Sequence, residues 1–324
     1  MGVPVMQLFK RFEKNPILEP TSNPWESKAV FNAAAAKVGS EIKLLYRAVG
    51  DDNISRIGIA TSYDGYTFSR QDQPILEGQA NNPYETRGIE DPRITFLDGY
   101  YNILYVAASL YPEGHPKPVW AYDAPWRVRI ALARTKDFVN FERDGVVIKD
   151  RDSKDPALFG ERIADKLYLI HRIYPSVWLS VGREWGVWES HKCILEPRKG
   201  MWDGERIGAG PPPIKTKEGW LLIYHGKDRE GVYRSGAALL DSKDPSRVLA
   251  RSSEPFLEPE AEHEKGIISG NKSVAVFSCG VISQASELIV YYGAADRVLC
   301  VGTISINELL GTLEPEKVSK GVQI

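Results

Sequence analysis

The chain carries the apolar stretch IKLLYRAVG at residues 42–50 and repeats it in related form at YYNILYVAAS (100–109), DKLYLIHRI (165–173), GWLLIYHG (219–226) and ELIVYYGAAD (287–296). Each copy is a short run of aliphatic and aromatic residues, as expected for a strand inside a sheet. The copies lie too far apart for a hairpin repeat, and their spacing suits a four-stranded blade with elaborated loops.

Further strands keep the same phase. A strand follows each copy, as SRIGIATS (55–62), RVRIALART (127–135), SVWLSVGR (176–183), RSGAALLD (234–241) and LCVGTISI (299–306). A short strand bounded by proline or polar residues comes next in four copies, as PILEG (74–78), VVIKD (146–150), CILEP (193–197) and PFLEP (255–259). The fifth version stands near the N-terminus, as PILEP (16–20).

This arrangement predicts an all-β fold, a single five-bladed β-propeller over residues 1–324. We expect the N-terminal strand to complete the last blade, because closing the ring removes two free sheet edges. A β-sandwich is the alternative architecture, although five copies in phase do not divide naturally between two sheets. Helical periodicity is nearly absent, and only INELLGTLEP (306–315) could start a short helix.

Composition excludes several classes of function. The 324 residues have a formal net charge of -2 and no run rich in lysine or arginine, so nucleic acid is not an expected partner. The three cysteines are far apart in sequence, which predicts neither a disulfide framework nor a metal site. No stretch approaches the length of a membrane span and no signal peptide is recognised, so we expect a cytoplasmic protein without a membrane partner.

The candidate site follows from the propeller itself. The innermost strand of each blade lines the central channel, so the segments before the five repeats should meet there: FNAAAAKV (31–38), GIEDPRITF (88–96), SKDPALFGERI (153–163), RIGAGPPPI (206–214) and GNKSVAVF (270–277). Polar residues beside glycine or proline begin four of these segments, a pattern that strand packing does not require. Asn32, Asp91, Lys154 and Arg206 are therefore expected to face one axial space.

The ends of the repeated strands add a second set of polar residues, Arg47, Arg172, His225 and Asp296. Charged residues ending apolar strands need a reason, because unpaired burial is costly. Together they predict a pocket rich in cations, with Asp91 as its best-placed carboxylic acid. Aromatic residues in the intervening loops would suit the apolar face of a sugar ring: Trp120, Tyr122, Trp126, Trp178 and Tyr233.

Each of these residues also has a purely structural interpretation. Asp91, before Pro92, could be a turn residue with Glu90 as its solvated neighbour. Arg47 and Arg172 could form ion pairs between blades, and Lys154 with Asp155 could be an exposed turn. His171 is interpreted as a packed strand histidine rather than a ligand. The shared phase of the charged residues favours a functional site, because independent structural charges would not fall at the same two positions of each blade.

The sequence resembles glycoside hydrolase family 130. The resemblance is carried in order across nearly the whole chain by GIEDPRIT (88–95), LFGERI (158–163), LIHR (169–172), IGAGPPPIKTKEGWLLIYHG (207–226), GAALLD (236–241) and YYGAAD (291–296). Members of that family are five-bladed propellers; most are inverting β-mannoside phosphorylases and a minority are β-mannosidases.

The resemblance implies a role for individual residues. Asp91 corresponds to the catalytic acid, and the positions that hold inorganic phosphate correspond to Lys154, Arg172, Arg206 and His225. Asn32, Arg47 and Asp296 correspond to the mannosyl subsite, where Tyr233 is added as an aromatic substrate contact. The family often has Arg-Asn where this chain has Lys154 and Asp155, which keeps the charge but loses the fork geometry of arginine. Segment 110–127 has no counterpart that we can match.

The predicted activity is the reversible phosphorolysis of a terminal β-mannoside, giving α-mannose 1-phosphate and a shortened acceptor. A phosphorylase needs one acid and cations for phosphate, whereas an inverting hydrolase needs two carboxylates. The expected partners are a small carbohydrate and inorganic phosphate as co-substrate, with no cofactor and no metal. The alternatives are a β-mannosidase and a non-catalytic sugar-binding propeller. The linkage, the acceptor sugar and homo-oligomer formation stay open.

Overall fold

The computed structural model describes residues 8–121, 124–268 and 271–316. These residues form five antiparallel sheets arranged as the blades of a propeller, which confirms the predicted all-β fold. Before the first blade the chain forms β1 (Lys10–Arg11) and a 3-10 turn (Pro24–Glu26). No helix in the described part of the chain is long and apolar enough to cross a membrane.

The first three blades each contain four strands in chain order. The first has β2 (Ala29–Val38), β3 (Glu41–Val49), β4 (Ser55–Ser62) and β5 (Ser69–Arg70). The second has β6 (Ile89–Leu97), β7 (Tyr100–Leu110), β8 (Trp126–Thr135) and β9 (Phe141–Val146). The third has β10 (Lys154–Leu158), β11 (Leu167–Ile173), β12 (Ser176–Gly182) and β13 (Ser190–Leu195). In each blade the first strand lies nearest the axis and the second strand is the repeated apolar stretch.

The last two blades are elaborated. The fourth has β14 (Arg206–Ala209), β15 (Ile214–Lys215), β16 (Trp220–Lys227), β17 (Tyr233–Leu240) and β18 (Val248–Ser252). A 3-10 turn (Glu262–Glu264) and the hairpin β19 (Lys265–Ile268) and β20 (Asn271–Val274) lead to the fifth blade. That blade has β21 (Val276–Gln284), β22 (Glu287–Ala294) and β23 (Val298–Ser305), followed by α1 (Ile306–Gly311) and β24 (Leu313–Pro315).

The N-terminal segment closes the ring as predicted. Strand β1 pairs with β23, opposing Arg11 to Gly302, and Leu18 of the PILEP stretch makes a bridge to Leu299. The predicted helix is also present as α1, where the Ser305 side chain accepts a hydrogen bond from the backbone N–H of Glu308. The structure adds one pairing, because β24 joins the outer edge of the fourth blade beside β18.

The short proline-bounded stretches differ from the prediction in three of the five blades. Leu76, Leu257 and Leu18 make single bridges to the third strand of their blade, and a regular fourth strand precedes each of them. Proline has a fixed φ and no N–H to donate, so a ladder cannot extend through it. In the second and third blades the stretch overlaps the end of the fourth strand instead.

The hydrophobic core is divided among the interfaces between neighbouring blades. Leu104 and Ile130 of the second blade pack with Leu167 and Leu169 of the third in one buried cluster. The corresponding cluster between the fifth and first blades contains Leu299 and Val301 with Val30 and Leu44, so packing as well as hydrogen bonding closes the ring. Every blade is therefore held on both faces, and the inner strands are fixed around the axis.

Candidate active site

The inner strands of the first three blades share one local feature that aims polar side chains at the axis. A β-bulge interrupts the pairing between Phe31 and Ala34, between Glu90 and Arg93, and between Lys154 and Ala157. At the bulges, Asn32 and Asp91 both have a φ of 47° and Asp155 has a φ of 53°. Asparagine and aspartate adopt this left-handed conformation more readily than other non-glycine residues, and a bulge redirects the side chain that it carries.

These side chains meet in a central pocket of about 250 Å³. Its lining residues come from all five blades and from the loop after β7: Asn32, Arg47, Asp91, Trp120, Ala121, Trp126, Lys154, Asp155, Arg172, Arg206, Tyr233, Ala275, Phe277 and Asp296. The structure thus brings together every charged or amide residue predicted for the site except His225, which lies beneath the pocket wall and contacts the ring of Phe277 at a centroid distance of 4.1 Å.

Asp91 is a buried acid that lines the pocket. It is 7% exposed, and its Oδ1 accepts a hydrogen bond from Asn32 at 2.9 Å and lies 3.3 Å from Arg47 Nη1. Burial raises the pKa of Asp91, but the nearby guanidinium groups of Arg47 and Arg93 and the Asn32 hydrogen bond outweigh it and hold the pKa below its usual value. The carboxyl is therefore ionised at neutral pH in this structure.

Glu90 connects two of the predicted cations. Its carboxylate lies 2.9 Å from Arg47 Nη2 and 3.3 Å from Lys154 Nζ. The interpretation of Glu90 as a solvated neighbour of a turn is wrong, because an ion pair to each side holds it between the first and third blades. The alternative that Arg47 makes an ion pair between blades is correct, and the same arginine also lines the pocket.

Asp155 is the site residue that sequence reasoning missed. It is 1% exposed rather than part of an exposed turn, and its carboxylate lies 2.9 Å from Arg172 Nη1 and 3.5 Å from His225 Nε2. Arg93, also missed, approaches it at 3.8 Å. Burial raises the pKa of Asp155, but Arg172, His225 and Arg93 reverse the effect and lower it well below its usual range. Its position beside Pro156 in SKDPALFGERI (153–163), a segment predicted to line the channel, was the available signal.

A glycine makes this cluster sterically feasible. A Cβ on Gly208 would lie 2.1 Å from Asp155 Oδ2 and 2.6 Å from the His225 ring. Burial lowers the pKa of His225 below its ordinary value, although Asp155 opposes the shift. Neither ring nitrogen of His225 has a hydrogen bond within the described residues, and Nε2 faces the Asp155 carboxylate at 3.5 Å.

The remaining predicted residues complete the wall of the pocket. Arg206 bonds the Tyr233 hydroxyl and its guanidinium stacks over that ring at 5.2 Å. Ser273 donates a hydrogen bond to Asp296 at 2.9 Å, and burial raises the pKa of Asp296. Trp120 and Trp126 line the pocket as predicted. The prediction for Trp178 is wrong, because it lies on β12, the third strand of its blade, away from the pocket, and Tyr122 lies outside the described residues.

The charges of the pocket are mixed. Four lining cations, Arg47, Lys154, Arg172 and Arg206, face three lining carboxylates, Asp91, Asp155 and Asp296. The sequence predicted two of these acids, Asp91 and Asp296, and the structure adds Asp155. In the described part of the chain, no three His, Cys, Asp or Glu side chains come together in a way that could hold a metal ion.

A larger groove of about 640 Å³ lies beside the fourth blade. Its lining includes Asp228 and Arg234, which pair with each other at 2.6 Å. The central pocket instead gathers charged side chains from all five blades at the axis, and the pKa values of its acids Asp91, Asp155 and Asp296 are all displaced from their usual values. We therefore assign the chemistry to the central pocket.

The comparison with known proteins agrees with this geometry. A family profile described as beta-1,4-mannooligosaccharide phosphorylase matches residues 8–315. The chain belongs to glycoside hydrolase family 130. This membership confirms the resemblance seen in the GIEDPRIT and IGAGPPPI motifs.

Relatives within family 130 are similar over nearly their full length. A 1,2-beta-oligomannan phosphorylase of Thermoanaerobacter sp. (strain X514) is 40% identical over 309 residues, which cover 93% of this chain and 98% of the relative. A beta-1,2-mannobiose phosphorylase of the same organism is 40% identical over 308 residues, covering 91% and 96%. The solved structure of a beta-1,2-mannobiose phosphorylase from Listeria innocua, in complex with beta-1,2-mannobiose, superposes with a TM-score of 0.81 at 30% identity, covering 94% of this chain and 98% of the other.

Proposed function

We propose that this enzyme cleaves terminal β-mannosides with inorganic phosphate, inverting the anomeric centre and releasing α-mannose 1-phosphate and a shortened acceptor. The reaction is reversible and needs no cofactor. The observation that carries the proposal is the position of the buried acid Asp91, in one pocket with Lys154, Arg172 and Arg206. An anionic nucleophile held by cations beside an acid is what phosphorolysis requires.

Asp91 is proposed as the general acid. Its lowered pKa favours the ionised form, so it must gain a proton before it can give one to the leaving oxygen. A bound phosphate adds negative charge beside it and offsets the cations that lower its pKa. Phosphate binding would therefore place the acid in its working protonation state. Asn32, Arg47 and Asp296, which surround Asp91, are proposed to hold the mannosyl ring, with Tyr233 as an aromatic contact.

Lys154, Arg172, Arg206 and His225 are proposed to bind the phosphate. Arg172 is already oriented by Asp155, and His225 offers ring nitrogens that lack hydrogen bonds inside the described protein. Charge-assisted hydrogen bonds from several donors to one small anion are strong, and carboxylates already hold two of the donors in place, Lys154 through Glu90 and Arg172 through Asp155. The three lining carboxylates keep hydrolysis as the rival reaction, since a second carboxylate could serve as a base.

We further propose that the scissile linkage is β-1,2. The two relatives at 40% identity act on β-1,2-linked mannosides according to their names, whereas the β-1,4 linkage stands in the description of the family as a whole. Trp120, Ala121 and Trp126 bring the loop after β7 to the pocket, where an acceptor sugar would lie. Aromatic rings there can pack on the apolar face of a second sugar.

The test uses β-1,2-mannobiose and β-1,4-mannobiose, each with and without inorganic phosphate. We expect mannose 1-phosphate, detected by phosphorus NMR, only with phosphate and chiefly from the β-1,2 substrate. Free mannose as the sole product without phosphate would identify a β-mannosidase instead. Binding of mannobiose without any product would identify a non-catalytic sugar-binding propeller. Preference for the β-1,4 substrate would overturn the linkage alone.

A further inference from the structure

Four of the five blades contain the same buried anchor of tyrosine, carboxylate and arginine. The tyrosine lies on the second strand, the arginine on the fourth, and both bind one buried carboxylate: Tyr46–Glu26–Arg70, Tyr105–Glu85–Arg143, Tyr224–Asp203–Arg251 and Tyr292–Glu264–Arg11. The tyrosine-to-carboxylate distances run from 2.8 to 2.9 Å. The arginines reach the carboxylates at 2.7 to 3.3 Å.

The third blade replaces this anchor at the same register positions. Its fourth-strand residue is His191, paired across the ladder with Ser180, where the other blades pair arginine with alanine or glycine: Arg70 with Ala60, Arg143 with Ala133, Arg251 with Ala238, and Arg11 with Gly302. His171 takes the place of the tyrosine on the second strand. An ionic anchor has thus become a histidine–serine–histidine anchor in one blade only.

The replacement forms a continuous chain of hydrogen bonds, which we call the third-blade chain: Ser153, His171, Ser180 and His191. Ser153 Oγ lies 2.8 Å from His171 Nδ1, and His171 Nε2 lies 2.7 Å from Ser180 Oγ. Ser180 Oγ in turn lies 2.7 Å from His191 Nδ1. The first three side chains are at most 1% exposed, and His191 at the outer end is half-buried.

The inner end of the third-blade chain lies directly behind two pocket cations. Ser153 precedes Lys154, His171 precedes Arg172, and Lys154 and Arg172 oppose each other across the ladder. Neighbouring side chains of a strand point to opposite faces. The hydrogen bond between Ser153 and His171 therefore joins the two strands at the point where they present Lys154 and Arg172 to the pocket.

The hydrogen bonds of the third-blade chain all run in one direction, from donor to acceptor. With both histidines neutral, Ser153 can donate to His171 Nδ1, His171 Nε2–H to Ser180, and Ser180 to His191 Nδ1. Protonated His191 must donate from Nδ1 to Ser180 Oγ. The Ser180 proton then keeps an acceptor only if it is donated to His171 Nε2, and His171 in turn donates from Nδ1, which leaves the Ser153 hydroxyl proton without an acceptor. The described residues give that hydroxyl no hydrogen-bond partner besides His171, and Ser153 borders a small cavity of about 20 Å³ beside Lys154 and Arg172 rather than the central pocket. A buried donor without an acceptor is destabilising.

We propose that His171 is a positioning residue for Lys154 and Arg172, and that the third-blade chain makes anion binding at these cations depend on the protonation of His191. The proposal rests on the proposed phosphate-binding role of Lys154 and Arg172. Protonation of His191 leaves Ser153 unsatisfied, so the strand start at Ser153 and Lys154 shifts to find a partner. Bound phosphate holds that start in place and thus opposes the protonation.

The surroundings of His191 set the pH range of this effect. The charged groups that act on it are Arg151 and Asp150, which pair with each other, and His171 lies with its ring centroid 5.9 Å away. Burial, followed by the charge of Arg151, lowers the pKa of His191, while Asp150 opposes the shift. The hydrogen bonds of the third-blade chain therefore reverse at a pH below the ordinary histidine pKa of about 6.5.

The variant Ser180→Ala tests the proposal, because it cuts the chain in the middle and installs the residue that three other blades carry there. Dissociation constants for inorganic phosphate are measured by calorimetry from pH 5 to pH 8.5 in wild type and variant. Phosphate ionises identically in both, so its own titration cancels in the ratio. We expect ratios within about twofold at pH 8.5 and weaker binding by wild type of about fivefold at pH 5, a typical coupling between two sites. A ratio that does not change with pH overturns the proposal.

A matched control is Arg70→Gln, which cuts the ionic anchor of the first blade at the position equivalent to His191. It should lower the melting temperature without changing the pH dependence of phosphate binding. If Ser180→Ala proves unstable, His191→Gln replaces it, since glutamine keeps hydrogen bonding but cannot take up a proton. Failure of wild type to bind phosphate at any pH would overturn the proposed function itself, which separates the two failures.

The effect of bound phosphate on the pKa of His191 provides a second test, because the direction of the pKa shift distinguishes the proposal from simple electrostatic attraction. Histidine NMR, with His191 assigned from His191→Gln, follows the titration of His191 with and without inorganic phosphate. The third-blade chain requires phosphate to lower the pKa of His191, because binding and protonation oppose each other. Simple attraction between a bound anion and His191 would raise that pKa. A raised or unchanged value in wild type therefore contradicts the proposal.

Discussion

The side-chain amide of Asn32 donates a hydrogen bond to Asp91 Oδ1 at 2.9 Å and so links the inner strands of the first and second blades. Both residues sit at bulges with a φ of 47°. Space for Asn32 is provided by Gly293 of the fifth blade, where a Cβ would lie 2.2 Å from Asn32 Oδ1. Three blades thus fix the orientation of one carboxyl, and this suits a group that must transfer a proton at a defined position.

Asp91→Asn should abolish most turnover while leaving the fold intact. The amide keeps the size of the side chain, and its oxygen can still accept hydrogen bonds from Asn32 and Arg47. It cannot protonate the leaving oxygen. We expect a loss of about 10²–10⁴-fold in kcat on a natural mannoside. The loss should shrink for an aryl mannoside, whose leaving group needs little protonation. Equal losses on both substrates with a lower melting temperature would identify Asp91 as a structural turn residue instead.

Arg172→Ala should raise the KM for phosphate with little change in the KM for the mannoside. It removes a charged donor and leaves Asp155, its partner at 2.9 Å, less compensated. A charge-assisted hydrogen bond contributes about 1.5–3 kcal/mol, so the KM should rise by at least about tenfold. Arg183→Ala, on the same blade but with a side chain 60% exposed, is the control and should keep normal kinetics. Normal phosphate saturation in Arg172→Ala would remove this residue from the phosphate site.

Gly208→Ala should impair activity by displacing Asp155 and His225. The added methyl group would lie 2.1 Å from one and 2.6 Å from the other, both far below contact distance. Overpacking of this kind costs about 1–3 kcal/mol of stability. Gly160→Ala is the matched control, because a Cβ there meets nothing within 4 Å. Comparison of melting temperatures and phosphate KM values checks the prediction, and equal behaviour of the two variants would contradict it.

His171 should make the protein less stable in mildly acidic solution. Burial, with the nearby charges of His191 and Arg151, lowers the pKa of His171 to about 3. Below pH 6.5 the unfolded chain takes up a proton there that the folded protein does not, so stability falls as the pH falls from 6.5 toward 3. The free energy of unfolding should drop by about 2 kcal/mol between pH 8 and pH 5 through this residue alone.

The comparison for this prediction is His171→Gln, which cannot titrate and should show a correspondingly flatter dependence of unfolding free energy on pH, measured by denaturant titration. His115→Gln serves as the control, because His115 is exposed and its replacement should keep the wild-type slope. If wild type and His171→Gln lose stability in parallel, His171 is protonated in the folded protein.

The sequence by itself determined the propeller, because the fold depends on local patterns. Each repeated stretch, such as IKLLYRAVG, has the apolar character of a buried strand, and its phase with the following strands is visible without any knowledge of contacts. The fifth proline-bounded stretch, PILEP (16–20), stands near the N-terminus instead of after the fifth repeat, and this position was enough to predict ring closure. Asn32, Asp91, Lys154 and Arg206 could be placed in one pocket because repetition puts equivalent positions at equivalent radii.

Tertiary structure alone decided which charges face each other. Asp155 looked like part of an exposed turn, and only the left-handed bulge conformation and the missing side chain of Gly208 turn it toward Arg172 and His225. Glu90 became a bridge because Arg47 and Lys154 approach it from different blades. Electrostatic energy depends on the distances between charged groups, and these groups lie on different blades and far apart in sequence. Strand patterns therefore could not predict the protonation state of Asp91 or the ionic partner of each cation.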